Sequence, residues 1–355
     1  EIEDEMFKTQ YNKATEHHFG VLKAKIARLR EKQELNKRKG PSTGGFAVKR
    51  SGDATVILVG FPSVGKSTLL NAITGAKSAT AAYAFTTLTV IPGVLRYKSA
   101  KIQILDVPGI IAGAASGMGR GKEVLAVARS ADLVLFVLEA GHPEHLERLK
   151  KELYDSGIRL DETRPAVKVS KSPRGNISIL STCKQPLSTK TFEDILKQLR
   201  LNNVSVVLRE PVTIERFIDG VLGGLYYTKS VAIITKSDLV SEKELEESKK
   251  ISGAKLCVSA STMKNIDKLK DLLYDELELT PVYLKELGKP PDLKEPLVLR
   301  KGSTIRTACG HIHRDVEKLF TYSRIWGPSA KFPGQIVKNL DRPLMAGDIL
   351  EVHSK

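Results

Sequence analysis

Long hydrophobic runs are missing from this 355-residue sequence. The longest strongly apolar run covers residues 133–138, whereas a membrane-spanning helix needs roughly 18 or more apolar residues. The sequence therefore predicts no helix that crosses a membrane.

Cysteine is also scarce, with three residues at Cys183, Cys257 and Cys309. They are far apart and do not show the paired spacing of a zinc site. Free, scattered cysteines are typical of a reducing compartment, because disulfides persist mainly in oxidising ones. The sequence therefore predicts a cytoplasmic protein.

Aromatic residues make up 6% of the chain, but the hydrophobic share of 41% and the charged share of 27% are ordinary. These values are typical of globular proteins and exclude wholesale disorder. At roughly 100–200 residues per domain, the length predicts two or three domains.

The net charge of +15 is unevenly distributed. Residues 1–52, 159–229 and 289–355 each carry 12 Lys and Arg against 7 Asp and Glu. The remaining residues, 53–158 and 230–288, contain 20 of each and are neutral. A neutral body with three basic appendages is typical of a protein that binds a polyanion. General solubility is the alternative interpretation.

A phosphate-binding loop is the strongest motif. The β-branched run at 56–60 predicts a buried parallel strand, and 69–73 continue as a helix. Between them, residues 60–68 fit the pattern G-x-x-x-x-G-K-[ST]. Glycines at both ends let backbone N–H groups turn towards phosphate oxygens. The predicted nucleotide-binding residues here are Phe61, Pro62, Ser63, Val64, Gly65, Lys66, Ser67 and Thr68.

A second motif follows the predicted strand at 101–105. Asp106 stands at the carboxyl end of that strand, where doubly wound sheets bind ligands. We expect Asp106 and Ser67 to hold Mg²⁺, Lys66 to reach the β- and γ-phosphates, and the Gly109 N–H to contact the γ-phosphate.

Base recognition is predicted at two further strands. Thr235, Lys236 and Asp238 follow the run at 231–234, and Ser259 and Ala260 follow 255–258. The pattern resembles the Asn/Thr-Lys-x-Asp and Ser-Ala motifs of GTPases. In those, the Asp carboxylate accepts two hydrogen bonds from guanine, a pair that adenine does not offer. Thr235 replaces the commoner Asn, which predicts one weaker supporting contact.

These motifs, with Tyr-Ala-Phe-Thr-Thr-Leu-Thr at 83–89 and Asp-Val-Pro-Gly-Ile-Ile at 106–111, resemble the Obg superfamily of GTPases. The N-terminal stretch at 3–15 and the C-terminal segment narrow the resemblance to the developmentally regulated GTP-binding protein (DRG) family. The resemblance implies an α/β P-loop GTPase in which Thr87, with Thr86 as the alternative, closes on Mg²⁺. It implies the catalytic residues Lys66, Thr87 and Gly109 and the magnesium ligands Ser67, Thr87 and Asp106.

Hydrolysis is predicted to be slow. Ile110 stands where Ras-like enzymes carry the glutamine that orients water, and its side chain has no polar group for that task. A bound K⁺, a switch side chain or a partner are three alternatives for the missing stabilisation. Related K⁺-using GTPases often have Asn where this loop has Ser63, so the sequence leaves K⁺ use open.

The sequence predicts four structural units. Amphipathic periodicity predicts a basic helical hairpin near the N-terminus. About 90 residues separate two strands of the body, which predicts an inserted unit. The resemblance gives this unit an S5 domain-2-like α+β fold and the C-terminal unit a β-grasp (TGS) fold. The predicted boundaries are 1–45 for the hairpin, 46–158 with 230–288 for the GTPase domain, 159–229 for the insert and 289–355 for the TGS domain.

The sequence therefore predicts a Mg²⁺-dependent GTPase switch linked to ribosomes or ribosomal RNA through basic appendages. Besides GTP and GDP, the family uses dedicated protein partners, and neither a membrane nor DNA is expected as a partner. In the insert, Lys168, Lys171, Arg174 and Lys184 are candidates for phosphate contacts or solvated loop residues. An ATP-using relative, a nucleotide-gated binding module with negligible turnover, and an RNA-binding module with a structural nucleotide are the alternatives.

Overall fold

The computed structural model describes residues 52–75, 91–106, 127, 129–172 and 175–354. These fall into two compact units, of which one contains Thr163–Leu225 and the other the described residues before and after it. The N-terminal hairpin predicted for 1–45 lies outside the described residues. In the part of the chain that is described, no helix combines the length and apolar character required to cross a membrane.

The strands of the described residues are β1 (Ala54–Val59), β2 (Ile91–Tyr97), β3 (Ala100–Asp106), β4 (Leu133–Glu139), β5 (Ile158–Leu160), β6 (Val167–Lys171), β7 (Ser178–Ser181), β8 (Val204–Leu208), β9 (Tyr226–Thr235), β10 (Leu256–Cys257), β11 (Leu279–Leu284), β12 (Asp292–Arg300), β13 (Phe320–Trp326), β14 (Gln335–Val337) and β15 (Ile349–Ser354). The helices are α1 (Lys66–Thr74), α2 (His145–Asp155), α3 (Thr189–Gln198), α4 (Ile214–Leu222), α5 (Glu242–Ser252), α6 (Ile266–Glu276), α7 (Ile305–Ile312) and α8 (Arg314–Leu319).

The first sheet has the order β10-β9-β4-β1-β3-β2, with β5 added beside β9. Its pairings are parallel except for the edge strand β2, which runs antiparallel to β3. The central strands β1 and β4 are apolar and buried on both faces, as parallel strands covered by helices on each side are. The carboxyl ends of β1, β3, β4, β9 and β10 consequently lie at one edge of the sheet.

The inserted unit is a three-stranded sheet of order β6-β8-β7 with α3 and α4 on one face. Phe192 and Phe217, whose ring centroids are 4.6 Å apart, lie at the centre of its core. The structure differs from the predicted boundaries of 159–229. Residues Ile158–Leu160 pair with Tyr226, Tyr227 and Thr228 and so extend the first sheet. The backbone pairing of this sheet therefore continues past both residues that the sequence pattern predicts as the boundaries of the insert.

The C-terminal sheet has the order β12-β11-β15-β13-β14 and is covered by α7, whose Ile305 and Cys309 are fully buried. Its first strand, β11, begins at Leu279, so the C-terminal unit starts before the predicted residue 289. A proline such as Pro281 usually marks the end of a strand because it has no backbone N–H group, but β11 continues through it. The Pro281 carbonyl oxygen still accepts a hydrogen bond from the Gly347 N–H at 2.9 Å.

A buried carboxylate stabilises the C-terminal sheet on the face away from α7. Glu351 is 2% exposed and accepts hydrogen bonds from Lys285 and from His353, whose Nε2 lies 2.7 Å from Oε1. Tyr322 stacks on the His353 ring at 4.2 Å. Burial acts to raise the pKa of Glu351, but the hydrogen bonds from Lys285 and His353 outweigh it and hold the pKa below its ordinary value.

Candidate nucleotide-binding site

The loop between β1 and α1 follows the predicted strand–loop–helix arrangement. A Cβ atom on Gly60 would lie 2.4 Å from the Val137 carbonyl oxygen, so only glycine fits where β1 passes β4. Gly65 has φ 91°, in the left-handed region that favours glycine, and it is the N-cap of α1. The glycine spacing therefore serves a close approach at one end and a turn at the other.

Lys66 folds back over this loop. Its Nζ donates hydrogen bonds to the carbonyl oxygens of Gly60 at 2.9 Å and Phe61 at 2.8 Å. Burial lowers the pKa of Lys66, and the nearby Asp106 carboxylate opposes that shift. The ammonium group is thus held at the loop that the motif assigns to phosphate.

Ser67 and Asp106 meet at the start of α1. The Ser67 hydroxyl donates to Asp106 Oδ2 at 2.7 Å. Asp106 is 1% exposed, and its other oxygen, Oδ1, is buried and has no hydrogen-bond partner among the described residues. A buried carboxylate oxygen with spare acceptor capacity beside a hydroxyl is a donor set that Mg²⁺ favours. The two residues therefore fit the metal that the sequence assigns to them.

Thr235 joins the base-recognition segment to the phosphate loop. Its Oγ1 lies 2.7 Å from the Val64 carbonyl oxygen and 2.9 Å from that of Leu138. The sequence predicts a weaker supporting contact because Thr replaces Asn, but the hydroxyl reaches the loop. At 3% exposed, Thr235 makes this contact in the protein interior.

Asp238 is exposed at the same edge and is held by two serines from the β10 side. Ser261 donates to its Oδ2 at 3.1 Å, and Ser259 is fully buried. The hydrogen bond from Ser259, followed by those of the Asp238 backbone and of Ser261, lowers the pKa of Asp238. The carboxylate thus stays ionised and able to accept hydrogen bonds at neutral pH.

Two contacts at this edge were missed by sequence reasoning. Glu139, the last residue of β4, pairs with Lys236 at 2.8 Å. Its position at the carboxyl end of a parallel strand is the signal that also identified Asp106. His145, the first residue of α2, lies over Phe61 with ring centroids 4.3 Å apart. A contact between residues so far apart in sequence gives no local signal.

The remaining predicted residues are partly described. Val64 is buried, whereas Pro62 and Ser63 in the loop and Thr68 in α1 are exposed, and Ala260 is half-buried. Thr87 and Gly109 lie outside the described residues, as do Thr86 and Ile110. The structure therefore brings the residues predicted to bind phosphate, metal and base to one edge of the sheet, and the two predicted switch residues lie outside the described part of the chain.

Comparison with known families covers most of the chain. Residues 55–171 match the family described as 50S ribosome-binding GTPase, and residues 174–279 match the C-terminal region of that domain. Residues 281–354 match the TGS domain.

Full-length relatives show the same similarity. An uncharacterized GTP-binding protein of Methanocaldococcus jannaschii is 49% identical, over 99% of this chain and 90% of its own length. GTP-binding protein 1 of Schizosaccharomyces pombe is 43% identical, over 100% and 98%. Developmentally-regulated GTP-binding protein 2 of Homo sapiens is 40% identical, over 100% and 98%. Among solved structures, a GTP binding protein from Pyrococcus horikoshii OT3 is 15% identical with a TM-score of 0.45, over 85% of this chain and 100% of that one.

Proposed function

Because the chain belongs to the developmentally regulated GTP-binding protein family, we propose that it hydrolyses GTP to GDP and phosphate with Mg²⁺ and acts as a switch on ribosomes. The chain is a GTP-binding protein with a P-loop GTPase domain and a C-terminal TGS domain. Beyond this assignment, we propose GTP hydrolysis as the reaction, Mg²⁺ as the metal and the ribosome as the partner.

The observation that carries the catalytic proposal is the arrangement of Lys66, Ser67 and Asp106 at one edge of the sheet. The Lys66 ammonium would leave the carbonyls of Gly60 and Phe61 for the β- and γ-phosphates. Ser67 and Asp106 would hold Mg²⁺, and the unpartnered Asp106 Oδ1 supports this role. When bound, the metal supplies neutralisation of negative charge on the phosphates.

Guanine selection is assigned to Asp238. Its carboxylate can accept from both N–H groups of the guanine edge, while the stem of Lys236 packs beside the base and the Ser259-Ala260 backbone meets the guanine oxygen. The hydrogen bonds of Ser259 and Ser261 to Asp238 support this assignment, because they fix the carboxylate in its ionised form.

Catalysis by this chain would rest on positioning and charge stabilisation of an attacking water, with Lys66, Thr87 and Gly109 as the contributing residues. No covalent intermediate is expected. Ile110 offers no group that orients water, which supports a slow intrinsic rate. We assign the missing stabilisation to K⁺, a switch side chain or a partner.

The ribosome link rests on charge and on family. Three segments of the chain carry a net +5 each, and polyanion binding is the function that such segments serve. The description of the matched family as ribosome-binding supports the same partner. A cytoplasmic location follows from this proposal.

Hydrolysis is tested by multiple-turnover phosphate release from GTP and ATP, in K⁺ and in Na⁺ buffers. We expect slow release from GTP with Mg²⁺ and none from ATP. Equal rates in K⁺ and Na⁺ would remove the K⁺ alternative. Tight GTP binding without any release would favour the second candidate, a nucleotide-gated binding protein, which the residue Ile110 also supports.

The switch is tested by co-sedimentation with purified ribosomes at physiological salt, comparing a non-hydrolysable GTP analogue with GDP. Binding with the analogue alone is the expected result. Binding in both states would make the appendages constitutive anchors, and binding in neither would contradict the ribosome link.

A further inference from the structure

Charge is segregated by layer within the inserted unit. The segments that form or flank its strands, 166–185 and 199–209, contain six Lys and Arg and no Asp or Glu. The segments around its helices, 186–198 and 210–225, contain three Lys and Arg against five Asp and Glu. The net positive charge of the inserted unit therefore lies in its strand segments and not in its helices.

The sheet has one covered face and one open face. Val169, Ile179 and Val206 point towards α3 and α4 in the core. The open face consists of the alternate residues, which strand pairing arranges in two rows across the sheet. These rows are Lys168, Val207 and Leu180, and Ser170, Ser205 and Ser178.

The pairing continues one step beyond β8. The Arg209 N–H donates to the Ala166 carbonyl at 3.1 Å, and the Thr182 N–H donates to that of Leu208 at 3.0 Å. Arg209 and Thr182 thereby continue the alternation and extend the open face by one row. Lys168, Arg209 and the serines Ser170 and Ser178 are exposed.

Lys168 and Arg209 are the two cations of the open face. In the described part of the chain, no carboxylate lies within ion-pair distance of Lys168 or Arg209. On the helix layer, by contrast, Arg216 pairs with Glu210 at 2.7 Å and Lys197 with Asp194 at 3.8 Å. The open face thus offers two unpaired positive charges among hydroxyl groups.

We propose that this open face is the surface of the insert that binds RNA, through the phosphate and ribose groups of the backbone. Lys168 and Arg209 would contact phosphate oxygens, and the serine row would bond phosphate and ribose 2′-hydroxyl oxygens. Such contacts give affinity without reading base sequence. The inference rests on the ribosome link proposed above and assigns it to one surface.

An RNA backbone fits this face better than a protein does. Val207 is half-buried, so Leu180, at 60% exposed, is the only large exposed apolar side chain of the open face. One such side chain is too little for the apolar centre of a protein interface.

The test is a charge-matched pair of double variants in the full-length chain. Lys168→Gln with Arg209→Gln removes two charges from the open face. Lys190→Gln with Lys197→Gln removes two from α3. Binding to a fluorescein-labelled RNA hairpin is measured by anisotropy across a salt series, and binding of a fluorescent GDP analogue reports the nucleotide site.

For the open-face variant we expect RNA affinity about tenfold lower or more at physiological salt, with the slope of log K against log salt reduced by about 1.4–1.8. The α3 variant should bind as the wild type does, and both should bind GDP normally. Equal RNA binding by wild type and the open-face variant would overturn this assignment alone. A wild type that binds neither the hairpin nor ribosomes would overturn both it and the ribosome link. Capture of an acidic peptide in place of RNA would also count against the proposal.

Discussion

The hydroxyl of Thr235 lies 2.7 Å from the carbonyl oxygen of Val64, although 171 positions separate the two residues. One residue belongs to the segment that we assign to the base and the other to the phosphate loop. The contact links the two parts of the nucleotide site within the interior, where a hydrogen bond lost from a buried carbonyl is not replaced by water.

Thr235→Val should therefore destabilise the protein by about 1–3 kcal/mol, because it removes the hydroxyl hydrogen bond to a buried carbonyl oxygen at nearly constant side-chain shape. GDP affinity should fall as well. Urea unfolding and titration with a fluorescent GDP analogue measure the two effects. Thr228→Val is the matched control, since this buried threonine of the same strand has only a 3.5 Å contact to the Lys229 carbonyl. Equal effects of the two substitutions would contradict a specific link.

Asp238→Ala should lower GDP affinity by at least about a hundredfold, because two charge-assisted hydrogen bonds to guanine are lost. The fold should remain stable, since Asp238 is an exposed residue. Competition of GDP and ADP for the site measures the change in preference. Asp267→Ala, which removes a carboxylate that is 90% exposed on α6, is the control. Unchanged preference for GDP would exclude Asp238 from base recognition.

Asp106→Asn should abolish the tightening of GTP binding by Mg²⁺, because it removes one of the two side chains that we assign to the metal. GTP titrations with and without Mg²⁺ measure this effect, and thermal unfolding checks that the variant is folded. Asp53→Asn, at the other edge of the same sheet, should keep the Mg²⁺ response, and a full response in Asp106→Asn would remove this residue from the metal site.

Glu351→Gln should destabilise the C-terminal sheet in a pH-dependent way. The pKa of Glu351 is lower in the folded protein than its ordinary value, so its contribution to stability is fully present above about pH 4.3 and is lost as the pH falls through the folded pKa. The variant should therefore be less stable at pH 7 by about 1–3 kcal/mol, and the difference should shrink towards pH 3. Denaturant unfolding at both pH values measures it.

The control for that experiment is Glu286→Gln, whose carboxylate is 74% exposed and pairs only with Lys289 three residues away. Exposed pairs of this kind contribute little. If the free energy of unfolding that Glu351→Gln removes were the same at pH 7 and pH 3, the ionised carboxylate would not be the stabilising form.

Several elements were predictable because their signals are local. The run Val204–Leu208 is rich in β-branched valine, which favours a strand, and it forms β8. Helix α1 includes the predicted helical residues 69–73 and ends at Thr74, before Gly75 at φ 65°. Family and fold class follow from motifs at fixed spacing and are confirmed by the full-length relatives.

Other elements were not predictable because tertiary packing overrides their local signals. Helix α7 contains Gly310, Thr307 and His311, a composition that disfavours helix, yet burial of Ile305 and Cys309 stabilises it. The strand at Leu279–Leu284 contains a proline and joins the C-terminal sheet through pairing with residues more than sixty positions away.

The sequence alone determined the family of this protein and indicated its chemistry, because the phosphate loop and the two acids that we assign to the metal and to the base are each recognisable within a few residues. Tertiary structure decided what connects and supports them. The bond of Thr235 to Val64, the pairing of Glu139 with Lys236 and the burial of Glu351 between Lys285 and His353 join distant parts of the chain. The reason is physical: a motif is fixed by neighbours along the backbone, whereas the burial and hydrogen bonds that hold it depend on strands that meet only in the folded sheet.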